Sequence, residues 1–337
     1  MIKKKNYSFR LEKKNVFWSV KYFSFAIIVA FILSIAMYSV MLLVSEPAYV
    51  DEAIITTASA AVAKVEITAE YINPMWSLFI FNSIAVFSAV IGTSLFPFIH
   101  PMMIGEIELR SKHPVYAHCS IVIEKMMMPA NRLIQKLVTI ADRDFPSIRT
   151  KPEDDTDSMW KNCGYEKVDY HKFAYILPYT VPVMIILVNG FLIGILMAFF
   201  TFNGALTGFQ IFGTKGILIG IIYNLIYFVI SILPHGIIEL PVILVAAALG
   251  YRFAFVQSHE VKNENLFLGD TIEIAKTDVA QVIEITKNYM SSLYVWKMLA
   301  IMIFMLLIAA YIEINVTGNV VESTMNLLDG FIEKQIA

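Results

Sequence analysis

Long uncharged apolar runs alternate along this chain with short charged stretches. The run 22–45 carries no charge over roughly two dozen residues, 75–104 and 173–200 are likewise uncharged, and the apolar runs 215–233 and 295–314 carry only Lys215, Lys297 and Glu313. A helix needs about 20 apolar residues to cross a bilayer core of about 30 Å, so each run predicts a span. A further apolar run follows Pro241 and ends near Phe255, interrupted only by Arg252. The polar stretches predict two amphipathic helices. Pro129 opens the first, with Leu133, Ile134, Leu137, Val138, Ala141 and Phe145 at helical spacing and Arg132, Lys136 and Arg143 opposite. The second covers 270–293, starts with a capping-box-like Asp270 and Glu273, and lines up Ile272, Ala275, Val279, Val282, Ile283, Thr286, Met290 and Leu293. Both read as interfacial helices lying on a membrane surface. The Ala-rich stretch 54–72 has helical propensity, and 152–157 (PEDDTD) reads as a solvated turn.

The fold class expected is therefore all-α: a polytopic transmembrane helix bundle of about six spans, with a Pro-broken segment at 234–241. The segments are a basic tail 1–21, two spans over 22–104 with an external loop 46–73, and a helical insertion 105–172. The main transmembrane part 173–314 follows, containing the amphipathic helix 270–293, and then a tail 315–337. Lys3, Lys4, Lys5, Arg10, Lys13, Lys14 and Lys21 place the N-terminus in the cytoplasm by the positive-inside rule, while 46–73 is mainly acidic. The run 22–45 exceeds the 7–15 residues of a signal-peptide core, so it is expected to stay as an anchor. If the segment after Pro241 crosses, both termini are cytoplasmic. If 234–251 instead re-enters, the C-terminus lies outside. Six spans is the favoured reading.

Composition agrees with the membrane class. Hydrophobic residues make up 58% of the chain and charged residues 16%, with mean hydropathy +0.66. Soluble domains run nearer 45–50% and about 25%. A net charge of -2 and a pI near 6.3 offer no basic surface for nucleic acid. Two cysteines, Cys119 and Cys163, are too few for a disulfide framework.

The candidate chemistry centres on Pro234-His235-Gly236-Ile237-Ile238-Glu239-Leu240-Pro241. Pro241 cannot donate to the Ile237 carbonyl, which frees an acceptor in the membrane region. His235 and Glu239 are i,i+4 and share a face of any helical turn. An acidic or basic side chain at the bilayer centre costs about 2.5–3.5 kcal/mol on insertion scales, so Glu239 is expected to face protein or water. One reading is an ion, proton or lipid-headgroup site. The other is structural, with Glu239 bonding freed backbone or Arg252 to lock a helix break. Asn82, Asn189 and Asn224 interrupt apolar spans, either as a polar path or, more simply, as interhelical bonds. Gly190/Gly194 and Gly216/Gly220 form G-x-x-x-G faces that allow close helix approach. His113, His118, Cys119, Cys163 and His171 lack the spacing of a zinc site, so no metal set and no cofactor is assigned. Neither H-E-x-x-H, G-x-S-x-G nor a phosphate-binding G-x-x-x-x-G-K-[ST] occurs, and no enzymatic activity is expected.

The string PHGIIELPVILVAAALGYR at 234–252 resembles the signature of the stage II sporulation protein M family. Phe79-x-x-Asn82, Asn189-Gly190 with Gly194, and Ala309-Ala310-Tyr311-Ile312-Glu313 are similar to other pieces of that family in the same order. The resemblance implies an integral membrane scaffold. In spore formers it implies a role in membrane migration during engulfment, together with peptidoglycan-degrading partners. It also marks His235, Glu239, Asn82, Asn189 and Gly190 as the candidate core, joined by Pro234, Gly236, Pro241 and Arg252 from the residue reading. The insertion 105–172 departs from the short members of the family and is a candidate surface for a protein partner.

Three functions compete at this level. The first is a non-catalytic, self-associating scaffold or membrane-shaping protein of the plasma membrane, with the lipid bilayer and further copies of itself as partners. A transporter or channel with its site at the broken helix around His235 and Glu239 is the second. An intramembrane hydrolase is the third, and it lacks a second His and a nucleophile.

Overall fold

The computed structural model describes residues 7–44, 71–127, 129–130, 132–133, 136 and 158–336. The expected external helix 54–72 and the amphipathic helix after Pro129 lie outside these residues or almost so. Among the described residues the chain is helical, without strands. The helices are α1 (Lys13–Val44), α2 (Pro74–Phe87), α3 (Ile99–Lys112), α4 (Pro114–Met126), α5 (Lys167–Ile176) and α6 (Thr180–Phe212). They continue as α7 (Gly216–Asn263), α8 (Ile272–Met290), α9 (Leu293–Ile312) and α10 (Gly318–Ile336). Short π or 3-10 turns join several of them end to end. Four continuous helical runs are long and apolar enough to cross a membrane: Lys13–Val44, Pro74–Lys112, Lys167–Asn263 and Leu293–Gly330. The third reverses at Gly213, whose φ of +65° is the left-handed conformation glycine adopts without strain, so it holds two apolar helices, α6 and α7.

One expectation is overturned here. The segment 234–241 is not broken: α7 runs unbroken through both Pro234 and Pro241 over 48 residues. At 1.5 Å per residue that is about 72 Å, more than twice a bilayer core. Each proline removes one i→i−4 bond, but the rest of the ladder and neighbouring helices keep the helix intact, as membrane helices tolerate. The separate spans expected at 215–233 and after Pro241 are therefore parts of one helix. The stretch 315–337, expected as a tail, is helical to Ile336 and continues α9 through a π-turn at Glu313–Thr317. Helix α1 begins at Lys13, well before the apolar run.

The chain forms two compact units. Unit 1 comprises Met1–Leu11, Ser88–Val183 and Leu249–Lys297. Its core is aromatic, built from Trp160, Tyr170, Tyr175 and Phe267 with Ile104, Ile107, Val261 and Val282. The indole of Trp160 donates to the Gly269 carbonyl (2.8 Å), and the buried His100 ring stacks on Phe267 with centroids 4.9 Å apart. Phe267 sits at φ +66°, an uncommon position for a bulky residue, and its amide donates to Asp278 Oδ2 at 2.6 Å. Helix α8 presents Ala275, Val279, Val282, Ile285 and Tyr289 to this interior. The amphipathic helix expected on a membrane surface thus forms, but protein covers its apolar face. Periodicity alone does not distinguish a protein cover from a lipid one. Its N-cap is Thr271, whose side chain accepts from the Ile274 amide; Asp270 instead accepts from Ser158 Oγ and Lys167 Nζ, both at 2.9 Å.

The described parts of the insertion belong to unit 1. Arg110, with its side chain 6% exposed, donates to Glu106 (2.7 Å), to Glu124 (2.5 Å) and to the Asn162 carbonyl (3.2 Å). Glu124 in turn accepts the Gly164 amide at 2.6 Å. Helix α3 ends at His113, which is extended ahead of Pro114 as a pre-proline residue prefers.

Unit 2 comprises Glu12–Phe87, Met184–Ala248 and Met298–Ala337. Its helices meet through small residues. Gly190 lies against Phe23 and Ala26 of α1, and Gly194 against Ile27 and Ala30, so α1 and α6 run parallel. After the turn, Gly204 faces Gly220 and Gly208 faces Gly216, which makes α6 and α7 an antiparallel hairpin in backbone contact. The two G-x-x-x-G faces read from the sequence are the seams of this packing. The outward sides carry Ile28, Ile32, Leu218, Val229, Ile301 and Phe304, all exposed, as a lipid-facing surface would be.

Candidate functional site

The site is built on α2, the part of α7 before Leu249 and the π-turn that joins α9 to α10, all within unit 2. Tyr223 of α7 lies near Asp329, His235 Nδ1 lies 3.5 Å from Thr317 Oγ1, and Glu239 lies near Glu313. Each step forward along α7 is matched by an equal step back along α9 and α10, so the two run antiparallel in one register. Helical spacing puts His235 and Glu239 on one face, as expected. The π-turn inserts an extra residue at Glu313–Thr317 and so re-aims both Glu313 and Thr317 within a continuous helix.

The ligand-capable atoms of His235, Glu239 and Glu313 all lie within 4.8 Å of one another, and the three residues are half-buried. Asn82 of α2 stands beside Glu239. Two carboxylates held this close repel unless a proton or a cation sits between them. The arrangement can hold a positive charge, and it brings three separate stretches of chain to one point.

Of the residues singled out in the sequence, His235, Glu239 and Asn82 meet here. Gly236 is buried beside them, where an added Cβ would stand 2.7 Å from Ile232 Cγ2. Pro234 and Pro241 flank them within α7. Asn189 does not join; its amide donates to the Ile185 carbonyl of its own helix at 2.8 Å, while Gly190 packs on α1. Asn224 likewise bonds back to Gly220 (3.2 Å). Arg252 is not Glu239's partner. It lies on the same helix about 20 Å further along, by 1.5 Å per residue, and donates to the Ser8 carbonyl through Nε (3.1 Å) and Nη2 (2.9 Å). The residues Cys119, Cys163, His113, His118 and His171 stand outside the cluster. His171 Nδ1 contacts the Leu266 carbonyl at 2.7 Å, and Cys119 is exposed. Residue reading missed Glu313 as the third member and Thr317 altogether. The only signal was the Ala-Ala-x-x-Glu likeness, which named Glu313 without a place for it.

Against known families, the model of stage II sporulation protein M matches residues 150–318. The chain belongs to the stage II sporulation protein M family. The match takes in His235, Glu239, Glu313 and Thr317, so the cluster belongs almost wholly to the family region; Asn82 comes from outside it. With its long apolar helices, this sporulation protein M relative is a membrane protein. No curated protein and no solved structure matches the chain.

Proposed function

We propose that this sporulation protein M relative is a non-catalytic membrane scaffold that works as a self-associated assembly of the plasma membrane. The observation that carries this reading is a polar stripe on the last helical run. Asn315, Asn319 and Ser323 recur every four residues and are exposed, with Val316, Val320 and Thr324 alongside. This stripe lies on a helix that runs beside the apolar first half of α7. Polar side chains at that depth bond across helix interfaces rather than face lipid. Within the chain the Asn315 and Asn319 amides bond back to the Tyr311 (2.9 Å) and Asn315 (3.5 Å) carbonyls, and a second copy presenting the same stripe offers donors to their side-chain oxygens. The glycine seams add support, because helices in backbone contact form a stiff bundle suited to holding partners.

The membrane-shaping variant of this reading leaned on two interfacial helices. One is covered by protein and the other lies almost wholly outside the described residues, so the scaffold alone is proposed. The transporter reading leaned on a discontinuous helix, and α7 is continuous. On this reading the basic N-terminus is cytoplasmic by its charge, and with α7 crossing once and α9–α10 running back along it the C-terminus is outside.

The test is the subunit count of the full chain in native-lipid nanodiscs, by photobleaching of a fluorescent label. The expected result is two or more copies, falling to one when Asn315, Asn319 and Ser323 are replaced by Leu. A monomer at every protein density, or assembly indifferent to the triple variant, overturns the reading.

A further inference from the structure

We infer that His235, Glu239 and Glu313 form a binding site for a first-row divalent transition-metal cation. The inference does not depend on the scaffold reading. It starts from donor chemistry. One imidazole with two carboxylates is a mixed nitrogen and oxygen set that suits manganese, iron, cobalt or zinc, whereas calcium and magnesium take all-oxygen cages. The donor atoms lie within 4.8 Å of one another. Two metal–ligand bonds of about 2.1 Å span at most about 4.2 Å, so small side-chain rotations gather them around one ion.

Three further features point the same way. Among the described residues, no lysine or arginine is paired with Glu239 or Glu313. Two carboxylates at one point in a membrane helix bundle are costly without a positive charge, and a bound cation supplies it. The neighbours are also those that fix ligands in place. Thr317 Oγ1 lies 3.5 Å from one ring nitrogen of His235, and the Asn82 amide stands beside Glu239. Contacts of this kind orient imidazole and carboxylate ligands at metal centres. Finally, the ligands come from two helical runs far apart in sequence, with α2 touching through Asn82. A cation there pins the antiparallel pairing of α7 with α9–α10.

The experiment uses the purified full chain in detergent, stripped with chelator and then dialysed against micromolar MnCl2, CoCl2 or ZnCl2. Elemental analysis gives the stoichiometry, and visible absorption of the cobalt form reports coordination. The expected result is one ion per chain for at least one of these metals, with a rise in the unfolding midpoint. Glu239→Gln and Glu313→Gln, close in shape to the native residues, should each weaken binding at least tenfold. Glu322→Gln, an exposed carboxylate outside the cluster, should bind as the parent does. Absence of stoichiometric metal on the folded parent overturns the inference, as does equal binding by the Glu239 and Glu313 variants. Should a variant fail to fold, the cobalt spectrum of the parent decides: bands of oxygen ligation alone contradict the site, because His235 must contribute nitrogen.

Discussion

In unit 1 the helices meet through aromatic rings and charged side chains, whereas in unit 2 they meet backbone to backbone through glycine. Unit 1 places Arg110 among Glu106, Glu124 and the Asn162 carbonyl, and it threads Trp160, Tyr170 and Phe267 into one core. Unit 2 has Gly204 and Gly208 against Gly220 and Gly216, and brings the two half-buried carboxylates Glu239 and Glu313 together beside His235. Each mode of packing has the setting that suits it. Where water competes, burying aromatic surface drives association. Where lipid surrounds the helices there is no such drive, and close packing of small residues with a few polar contacts takes its place. A charge in the second setting therefore carries more meaning than one in the first.

The comparison breaks most readily at Arg110. Arg110→Met leaves Glu124 and Glu106 facing each other without their cation, and should cost about 3 kcal/mol of stability in a denaturant titration of the detergent-solubilised protein. A silent substitution would show that polar ties do not hold unit 1. Next comes Gly208→Ala, whose Cβ would enter the backbone of Gly216. It should destabilise by about 1–3 kcal/mol, while Gly318→Ala, with open space around it, should stabilise by up to about 1 kcal/mol. Equal effects at the two glycines would remove the packing argument for unit 2. The smallest effect is chemical rather than energetic. Burial pushes the Cys163 thiol up to about 12, so at pH 7.5 a maleimide should label Cys119 within minutes and Cys163 far more slowly, as read by mass spectrometry of the peptides.

Much of the fold was legible from hydropathy because membrane spans are written as long uncharged runs. The pairing of His235 with Glu239 was legible too, since i,i+4 geometry is local. The failures share a cause: each concerned what a local pattern meets at a distance. Pro234 and Pro241 read as breaks because isolated helices do not tolerate them, yet packed membrane helices do. Helix α8 has the periodicity of an interfacial helix, but the stretch that packs on it, Thr93 to Lys112, reads as the inner end of a membrane span and a polar segment when taken alone. Arg252 seemed available to Glu239 until the uninterrupted helix set them far apart. Glu313 was hidden because an extra residue in a π-turn decides where it points, and no propensity marks such a turn.

The central claim is that α7 passes unbroken through its prolines and meets the π-turn of the last helical run. Oxidative cross-linking in native membranes tests it most directly, with Cys119 and Cys163 replaced by Ser. The pair His235→Cys with Thr317→Cys should join within one chain on copper-phenanthroline treatment. The pair Leu233→Cys with Thr317→Cys, the former on the exposed side of α7, should not. Efficient linking of the second pair without the first would contradict the account.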